Sequence, residues 1–597
     1  MVSTSSPNTS AARRTVGVGD LLKGVVAMAP DALSMARHAP GLVIRSADAK
    51  KTIGLIFQKL AAKHPDRPFV RFEGRTLTYG EANRTVNRYA AVLAERGVGK
   101  GDVVGILAEN SDTDLLVVLA TLKLGAVAGM LNYNQHGHVI DHSMSLLNAK
   151  VLVRDPRCAE AWDTMSPDAR PEHVLTFDDL DAAAEGKPVA DPAVTAQLPA
   201  STTAFYIFTS GTTGLPKASM MSHNRWMANY SGIGGLAVRL RPSDTMYVAL
   251  PMYHNNALSV SLGAVLAGGA CIAIARKFSA SRFWDDVIAN RATAFCYIGE
   301  LCRYLLAQPE KPSDRRHAVR VVVGNGMRPE IWEEFSERFG IDRIVEFYGA
   351  SELNLAFVNA FNVPRTAGFC PLPFKVVEYE ADGSPKRDAN GRLRPVRKGE
   401  PGLLIAEISE RVPLDGYTDD AETEKKVIRD AFKAGDAYFN SGDLVRQQGF
   451  LHIAFVDRLG DTFRWKGENV ATTEVEGALG SFDGIEHAAV YGVEVPGCDG
   501  RAGMGALTLA EGASLDGKAL AEHLHRELPS YAVPLFLRIV PEIEATTTFK
   551  NRKVELRDEG FSDVGEDQVL VLSSRADGYV PIYDGFVDEI AGAKASN

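Results

Sequence analysis

The sequence predicts an α/β protein: a large N-terminal region of parallel sheets covered by helices, a small β subdomain, and a small α+β C-terminal domain. Three observations carry this expectation. From Thr52 to about Phe455, helical patterns alternate with short apolar strand candidates, and strands interleaved with helices pair in parallel. Between Glu378 and Gly399 the chain becomes polar and turn-rich, with Asp382-Gly383 and Asn390-Gly391 ahead of apolar Gly402 to Ala406. After Asp457 the texture shortens into alternating short helices and strands. At 597 residues the chain is also too long for one core.

In chain order, Met1 to Thr15 is rich in Ser, Thr and Ala, is expected to be disordered, and lacks a charged-then-apolar signal-peptide layout. Val16 to Ile44 carries apolar stretches and two readings: a short helix packed on the body, or an amphipathic segment on a membrane surface. Val103 to Leu107 reads as a strand. Ala184 to Ser201, with three prolines, reads as a surface connection. Ala257 to Ala275 approaches the length of a membrane span but divides at Gly268-Gly269, so it reads as buried helix, turn and buried strand. Leu115 to Leu131 is interrupted by Lys123 and Gly125, so neither run argues for an integral membrane protein. Ala270 to Ala275, Ala294 to Ile298 and Val319 to Val323 are further strands. Beyond Asp457, Val470 to Leu479 and Leu515 to Leu528 read as helices, and Ala488 to Tyr491 and Ala506 to Leu509 as strands.

Composition excludes some classes. Net charge is -10 without a long Lys/Arg block, which argues against nucleic acid as the main partner. Six scattered cysteines form no C-x-x-C pair and read as reduced thiols of a cytosolic protein. No H-E-x-x-H occurs, and no structural metal is expected.

The most informative stretch is Tyr206 to Lys217, YIFTSGTTGLPK. An apolar strand, Ala204 to Phe208, delivers the chain into a turn rich in hydroxyls and glycine. Gly211 and Gly214 let backbone amides approach a ligand, Thr209, Ser210, Thr212 and Thr213 add hydroxyl donors, and Lys217 adds a cation. That is the chemistry of a polyphosphate cradle, although the spacing is not that of a Walker loop. The bland alternative is a solvated Ser/Thr/Gly loop.

This string resembles the signature of the adenylate-forming enzymes, the superfamily of acyl-CoA synthetases, luciferases and peptide-synthetase adenylation domains. The resemblance spans roughly residues 50 to 590. It implies an acyl-CoA synthetase-like fold with a mobile C-terminal domain, divided here into an N-terminal extension (1–50), an adenylation domain (51–457), a hinge (458–461) and a small domain (462–597).

Activating a carboxylate with AMP needs charge neutralisation and alignment more than covalent help. The remaining motifs appear in the order that chemistry requires. Tyr348-Gly349-Ala350-Ser351-Glu352 resembles the second core motif, with serine for threonine; the resemblance implies that Tyr348 stacks on adenine and Glu352 holds Mg²⁺. Gly324-Asn325-Gly326 opens a turn after an apolar strand, where open α/β sheets bind ligands, and is expected beside adenine and the acyl pocket. Asp443, in Asn440-Ser-Gly-Asp443, and Arg458, after Asp457, are the implied ribose contacts. Lys550 is the implied cation between carboxylate and α-phosphate, with Lys553 as the alternative. His254, in Pro251-Met-Tyr-His254, is implied at the carboxylate end of an acyl tunnel. Gly460 stands where many relatives carry Asp or Lys and suits a hinge that rotates to bring Trp465, Lys466 and Gly467 to the thioester step.

Three segments, Phe295 to Leu305, Asp461 to Glu476 and Tyr491 to Arg501, are similar to the fatty acid transport protein/very-long-chain acyl-CoA synthetase branch. The implied substrates are a long-chain fatty acid, ATP with Mg²⁺, and coenzyme A. Residues around Gly263 to Ala275 and Phe295 to Leu305 are candidate tunnel walls, with ordinary core as an equal reading. A fatty-acyl-AMP ligase, a lipid-uptake protein whose binding outweighs catalysis, and a medium-chain or aromatic-acid ligase are the alternatives. The location expected is cytoplasmic, with the inner membrane surface as the place of any peripheral contact, and an oligomer is compatible with the sequence.

Overall fold

The computed structural model describes residues 15–43, 46–209, 215–350, 353–380, 383–410, 412–417, 419–465, 468–496, 498, 500–543, 553–574 and 577–592. The fold is α/β, with a large sheet-built N-terminal part and a small C-terminal part. The first sheet runs in the order His173–Thr176, Val151–Arg154, Val103–Leu107, Val127–Leu131, Thr203–Thr209, Lys217–Ser222. All neighbours are parallel except the last pair, which forms a hairpin with Thr209 opposite Lys217.

A second sheet has a parallel run of Pro68–Phe72, Cys271–Ile274, Thr245–Val248, Ala294–Ile298, Val321–Asn325 and Ile344–Tyr348. Its far edge does not end there. Short strands Phe357–Val358 and Gly368–Phe369 carry it into the antiparallel strands His452–Arg458, Ala437–Gly449, Pro401–Glu407 and Phe374–Val377. The β-rich stretch expected as a separate subdomain is therefore a hydrogen-bonded continuation of the parallel sheet. The chain gains paired backbone groups at an edge that would otherwise stand open.

Helix Asp112–Lys123 shows why the main core is one body. It is apolar on all sides, so no face suits water, and Leu115 to Lys123 are all buried. Its one basic group, Lys123, donates to Asn83 Oδ1 at 2.6 Å, Asn87 Oδ1 at 2.7 Å and Asp191 Oδ1 at 2.7 Å. Thr195 also donates to the Lys123 carbonyl at 2.8 Å. Ala184 to Ser201, expected as a surface connection, is thus anchored to a buried lysine, because that ammonium needs partners once it is desolvated.

Ala257 to Ala275 resolves into a π-helical turn Asn256–Ser261, helix Leu262–Gly268, and strand Cys271–Ile274. Gly269 takes φ 60° between the last two, as the sequence reading requires. The strand expected at Val319 begins later, at Val321, and extends to Asn325.

The C-terminal part builds its own core. Strands Ile485–Glu494, Arg501–Leu509, Phe536–Ile539, Gln568–Ser574 and Gly578–Pro581 form one sheet, covered by helices Thr472–Gly480 and Gly517–Glu527. Val475, Leu479, Leu520, Leu524 and Phe536 fill it, in a cluster separate from the N-terminal ones. At the other end of the chain, helices Val18–Met28 and Ala32–His38 pack on the body. A Cβ at Gly24 would lie 2.6 Å from the Phe361 carbonyl oxygen, so the first helix backbone rests almost directly on the protein.

Candidate active site

Parallel strands point their carboxyl ends the same way, so the turns that follow them converge at one end of the sheets. The segments singled out in the sequence leave from such ends: Thr209, the turn leading to His254, the turn at Gly324 to Pro329, and Tyr348.

The signature hairpin is described on both sides of its turn. Ser210, Gly211, Thr212, Thr213 and Gly214 lie outside the described residues, as does the side chain of Thr209. Lys217 begins the return strand, where it pairs with Glu422 and stands 5.9 Å from the Tyr417 ring centroid. Hydrogen bonds from Lys217 and then Lys425 draw the Glu422 carboxyl down to about 2. The partner of this lysine was not legible, because it comes from a helix more than two hundred residues away.

Tyr348 ends the strand Ile344–Tyr348 and is buried. Its hydroxyl donates to Asp443 Oδ2, and its ring faces Phe455 with centroids 6.1 Å apart. Burial, and then the Asp443 charge, raise the phenol well above its ordinary range. Asp443 reaches this position through a bulge: Asn440 pairs with Ile405 and Leu444 with Leu403, so the residues between them are looped out. Gly442 takes φ 74° there, and the Ser441 hydroxyl accepts the Asp443 amide at 3.1 Å. Across the ladder Asp443 faces Arg458, whose Nε lies 3.6 Å from Asp443 Oδ1. The structure therefore joins three residues predicted separately, Tyr348, Asp443 and Arg458, in one corner.

Gly349 and Ala350 follow. Arg225, from helix His223–Asn229, donates to the carbonyls of Ala350, at 2.8 Å, and Leu353. Ser351 and Glu352, between those two carbonyls in the chain, lie outside the described residues. Sequence reasoning missed Arg225 entirely; its partners lie 125 and 128 positions further along, with no local pattern to announce them.

The turn after Val321–Asn325 is tight. Gly326 takes φ 82°, and a Cβ on Gly299 would come within 1.7 Å of its carbonyl oxygen. Asn325 accepts from Asn256 at 2.9 Å. Beneath the turn lies Glu346, a second missed residue. Its carboxyl accepts from the amides of Gly326 and of Met327, the latter at 3.3 Å, and from the Tyr297 hydroxyl. Burial pushes Glu346 up to about 8. His254 is half-buried, its ring 4.6 Å from that of Tyr253, which meets Tyr133 edge-on. The apolar residues of the candidate tunnel walls at Gly263 to Ala275 and Phe295 to Leu305 mostly belong to the main core.

At the chain's crossing into the C-terminal part, Asp457 is buried and accepts from the Thr472 amide and, at 3.1 Å, from the Thr472 hydroxyl. Burial raises it to about 6. Gly460 follows with open space around its α-carbon and a φ outside the left-handed region. Trp465 is buried in the C-terminal core under the hairpin Phe463–Trp465 and Glu468–Val470; Lys466 and Gly467 lie outside the described residues. Lys550 lies outside them too. Lys553, its alternative, donates to Thr472 Oγ1 at 2.9 Å and pairs with Glu476 at 2.7 Å.

The two cores touch through charge. Arg303 donates to the Glu486 carbonyl at 2.6 Å and meets His487, while Arg328 lies 3.1 Å from Glu300 and 3.7 Å from Glu476. Burial, and then the Arg303 charge, lower the His487 imidazole.

Comparison with known proteins decides what this corner belongs to. The family profile of the AMP-binding enzymes matches residues 57–402, and that of the AMP-binding enzyme C-terminal domain matches 474–550. The chain belongs to the AMP-binding enzyme family. Within it, the chain is 52% identical over 588 residues to a medium/long-chain fatty acid–CoA ligase of Mycobacterium tuberculosis, covering 97% of this chain and 98% of the relative. It is 41% identical to long-chain fatty acid transport protein 2 of Rattus norvegicus, over 90% and 91% of the two chains. This AMP-binding enzyme thus falls in the branch its motifs resembled. Solved structures agree on the fold: ATP-bound MatB from Rhodopseudomonas palustris superposes with TM-score 0.72 at 24% identity, covering 85% of this chain and 99% of that one. A Mycobacterium tuberculosis fatty acyl CoA synthetase gives 0.62 at 21%, covering 86% and 99%.

Proposed function

We propose that the chain is an ATP-dependent long- or very-long-chain fatty acyl-CoA synthetase. A carboxylate oxygen of the fatty acid attacks the α-phosphorus of ATP, and the bond to the β-phosphate breaks to release pyrophosphate. The thiolate of coenzyme A then attacks the acyl carbonyl, AMP leaves, and the thiol proton passes to solvent. The observation that carries this reading is the corner of Tyr348, Asp443 and Arg458, where Tyr348 and Arg458 end their strands and the bulge of Ala437–Gly449 supplies Asp443. A buried carboxylate beside a guanidinium suits a ribose diol, and an aromatic ring suits adenine.

Each remaining residue has a place in this chemistry. Thr209 to Gly214 and Lys217 hold the phosphates. Glu352, in the chain between the two carbonyls that Arg225 holds, would bind Mg²⁺, which takes few protein carboxylates and shares the phosphates. His254 lies toward the acyl carboxylate. Lys550 neutralises charge at the reacting oxygens. Gly460, where an added Cβ would meet no atom within 4 Å, turns the small domain so that Lys466 and Gly467, which follow buried Trp465 in the chain, face the thioester step. Gly460→Pro should impair one half-reaction more than the other; equal loss in separate adenylation and thioester assays would remove it as the hinge.

Each CH₂ buried in an apolar tunnel contributes about 0.8 kcal/mol, so a tunnel favours length. Competition between saturated acids of graded length should show kcat/KM rising with chain length. A profile peaking at short or aromatic acids would overturn the substrate assignment. A second reading, lipid uptake, is favoured by the similarity to a long-chain fatty acid transport protein; it predicts tight fatty-acid binding without turnover. The enzyme is placed in the cytoplasm, with peripheral contact at the inner membrane surface where its substrate partitions.

A further inference from the structure

Helix Val18–Met28 turns Gly24 and Met28 inward, with Gly24 against Phe361. At 3.6 residues per turn, Val18, Leu22, Val25 and Val26 fall on one outward arc. All four are exposed, Leu22 by 61% and Val26 by 73%, and Leu33 on the next helix by 89%. Single exposed apolar residues are ordinary; a stripe of them on a helix whose other face is fixed is not.

A second apolar element adjoins the stripe. The Val16 amide donates to the Gln448 carbonyl at 3.0 Å, and Asp20 acts electrostatically on His452. Between these two anchor points the hairpin of Ala437–Gly449 and His452–Arg458 turns at Phe450 and Leu451, both exposed.

Charge says what fits this face. Exposed Lys23 follows Leu22, exposed Arg37 stands one turn beyond Leu33, and the Lys398 ammonium lies 5.5 Å from the Phe450 ring centroid. The acids of the same segment already have partners: Asp20 accepts the Gly17 amide at 3.0 Å, and Asp31 pairs with Arg239 and Arg241 at 3.0 Å each. Apolar groups rimmed by cations, on a protein of net charge -10, complement the interface of an anionic bilayer. No helix among the described residues is long and apolar enough to cross a membrane, so such a helix would lie on the surface.

We infer that helix Val18–Met28, Leu33 and the Phe450–Leu451 tip form one docking face for an anionic lipid surface. The segment is fixed to the body beyond the first helix as well, because His38 packs into the space at Gly235 and Gly41 lies against Ser231, both within the π-helical stretch Tyr230–Val238. The inference extends the proposed inner-surface location to defined residues. It does not depend on the acyl-CoA reading, since lipid binding is measured without turnover.

The test is co-sedimentation of the full chain with phosphatidylcholine vesicles, with and without phosphatidylglycerol. Wild type should sediment with the anionic vesicles and less with the neutral ones. Leu22→Ser with Val26→Ser should weaken binding about tenfold, as loss of two apolar insertions predicts. Phe450→Ser with Leu451→Ser should weaken it independently. Lys23→Glu with Arg37→Glu should abolish the preference for phosphatidylglycerol. An unchanged melting temperature would show that each variant is folded. Wild type remaining in the supernatant, or all variants binding equally, overturns the inference. So does a concentration-dependent dimer lost in Leu22→Ser with Val26→Ser while vesicle binding persists, which would assign the face to a second copy.

Discussion

The corner of Tyr348, Asp443 and Arg458 and the junction of Arg303, Arg328, Glu476 and His487 both join distant stretches of chain through polar side chains, but they are built differently. In the corner, Asp443 and its partner Tyr348 are buried and hydrogen-bonded, while Arg458, facing Asp443 across one ladder, is half-exposed. At the junction the arginines come from the N-terminal part and Glu476, the Glu486 carbonyl and His487 from the C-terminal part, with Arg303 and Arg328 each partly exposed. A buried hydrogen bond such as that of Tyr348 to Asp443 is preorganised, whereas the contacts of partly exposed arginines are weak and screened by salt. On the proposed two-step reading, the contrast suits a fixed nucleotide corner and a C-terminal docking that comes apart between the half-reactions.

The sharpest way to break this comparison is Lys550→Ala. If the small domain delivers that cation only for the first step, adenylation falls about a hundredfold, as for other transition-state charge contacts. Thioester formation from supplied acyl-adenylate should be largely spared. Asp443→Ala comes next. It removes the acceptor of Tyr348 and the partner of Arg458 together, and kcat/KM for ATP should fall by roughly ten- to a hundredfold, the range for a hydrogen-bonded charge. A change below twofold would mean that the corner is structural only.

Arg303→Ala with Arg328→Ala probes the other side. The ratio of the two half-reaction rates should shift by a few-fold, as exposed ion pairs allow, and high salt should reproduce the shift in wild type. A salt-independent ratio would count against a breakable junction. The last test reads stability rather than rate and concerns Glu346, held at about 8 by burial against an ordinary 4.5. Below pH 4.5 both folded and unfolded chains keep the proton. Between 4.5 and about 8 the unfolded chain releases it first, so stability falls as pH rises and levels off above. Melting temperature followed against pH should show that slope in wild type and a flatter one in Glu346→Gln, which never ionises.

Local signals carried much of this site. The strand before Thr209 and the glycine turn after Val323 are legible because apolar runs and glycine are written in adjacent residues, and Tyr348, Asp443 and Arg458 because their motifs resemble those of the family. The cross-links are not. Arg225 serves Ala350 and Leu353, Tyr348 finds Asp443 95 positions on, and Glu346 joins Tyr297 to the Gly326 turn. Each satisfies a buried polar group by a partner that only the sheet order brings near, so no window of sequence contains both. The same holds for the antiparallel continuation of the second sheet, whose connecting strands Phe357–Val358 and Gly368–Phe369 are too short to show a period.

The most direct test follows pyrophosphate release and thioester formation in the same sample, with ATP, Mg²⁺ and a long-chain fatty acid, with and without coenzyme A. A fixed nucleotide corner served by a movable small domain predicts acyl-adenylate without the coenzyme and stoichiometric acyl-CoA with it. Pyrophosphate release that never yields thioester would make the protein an acyl-AMP ligase and contradict the two-step account.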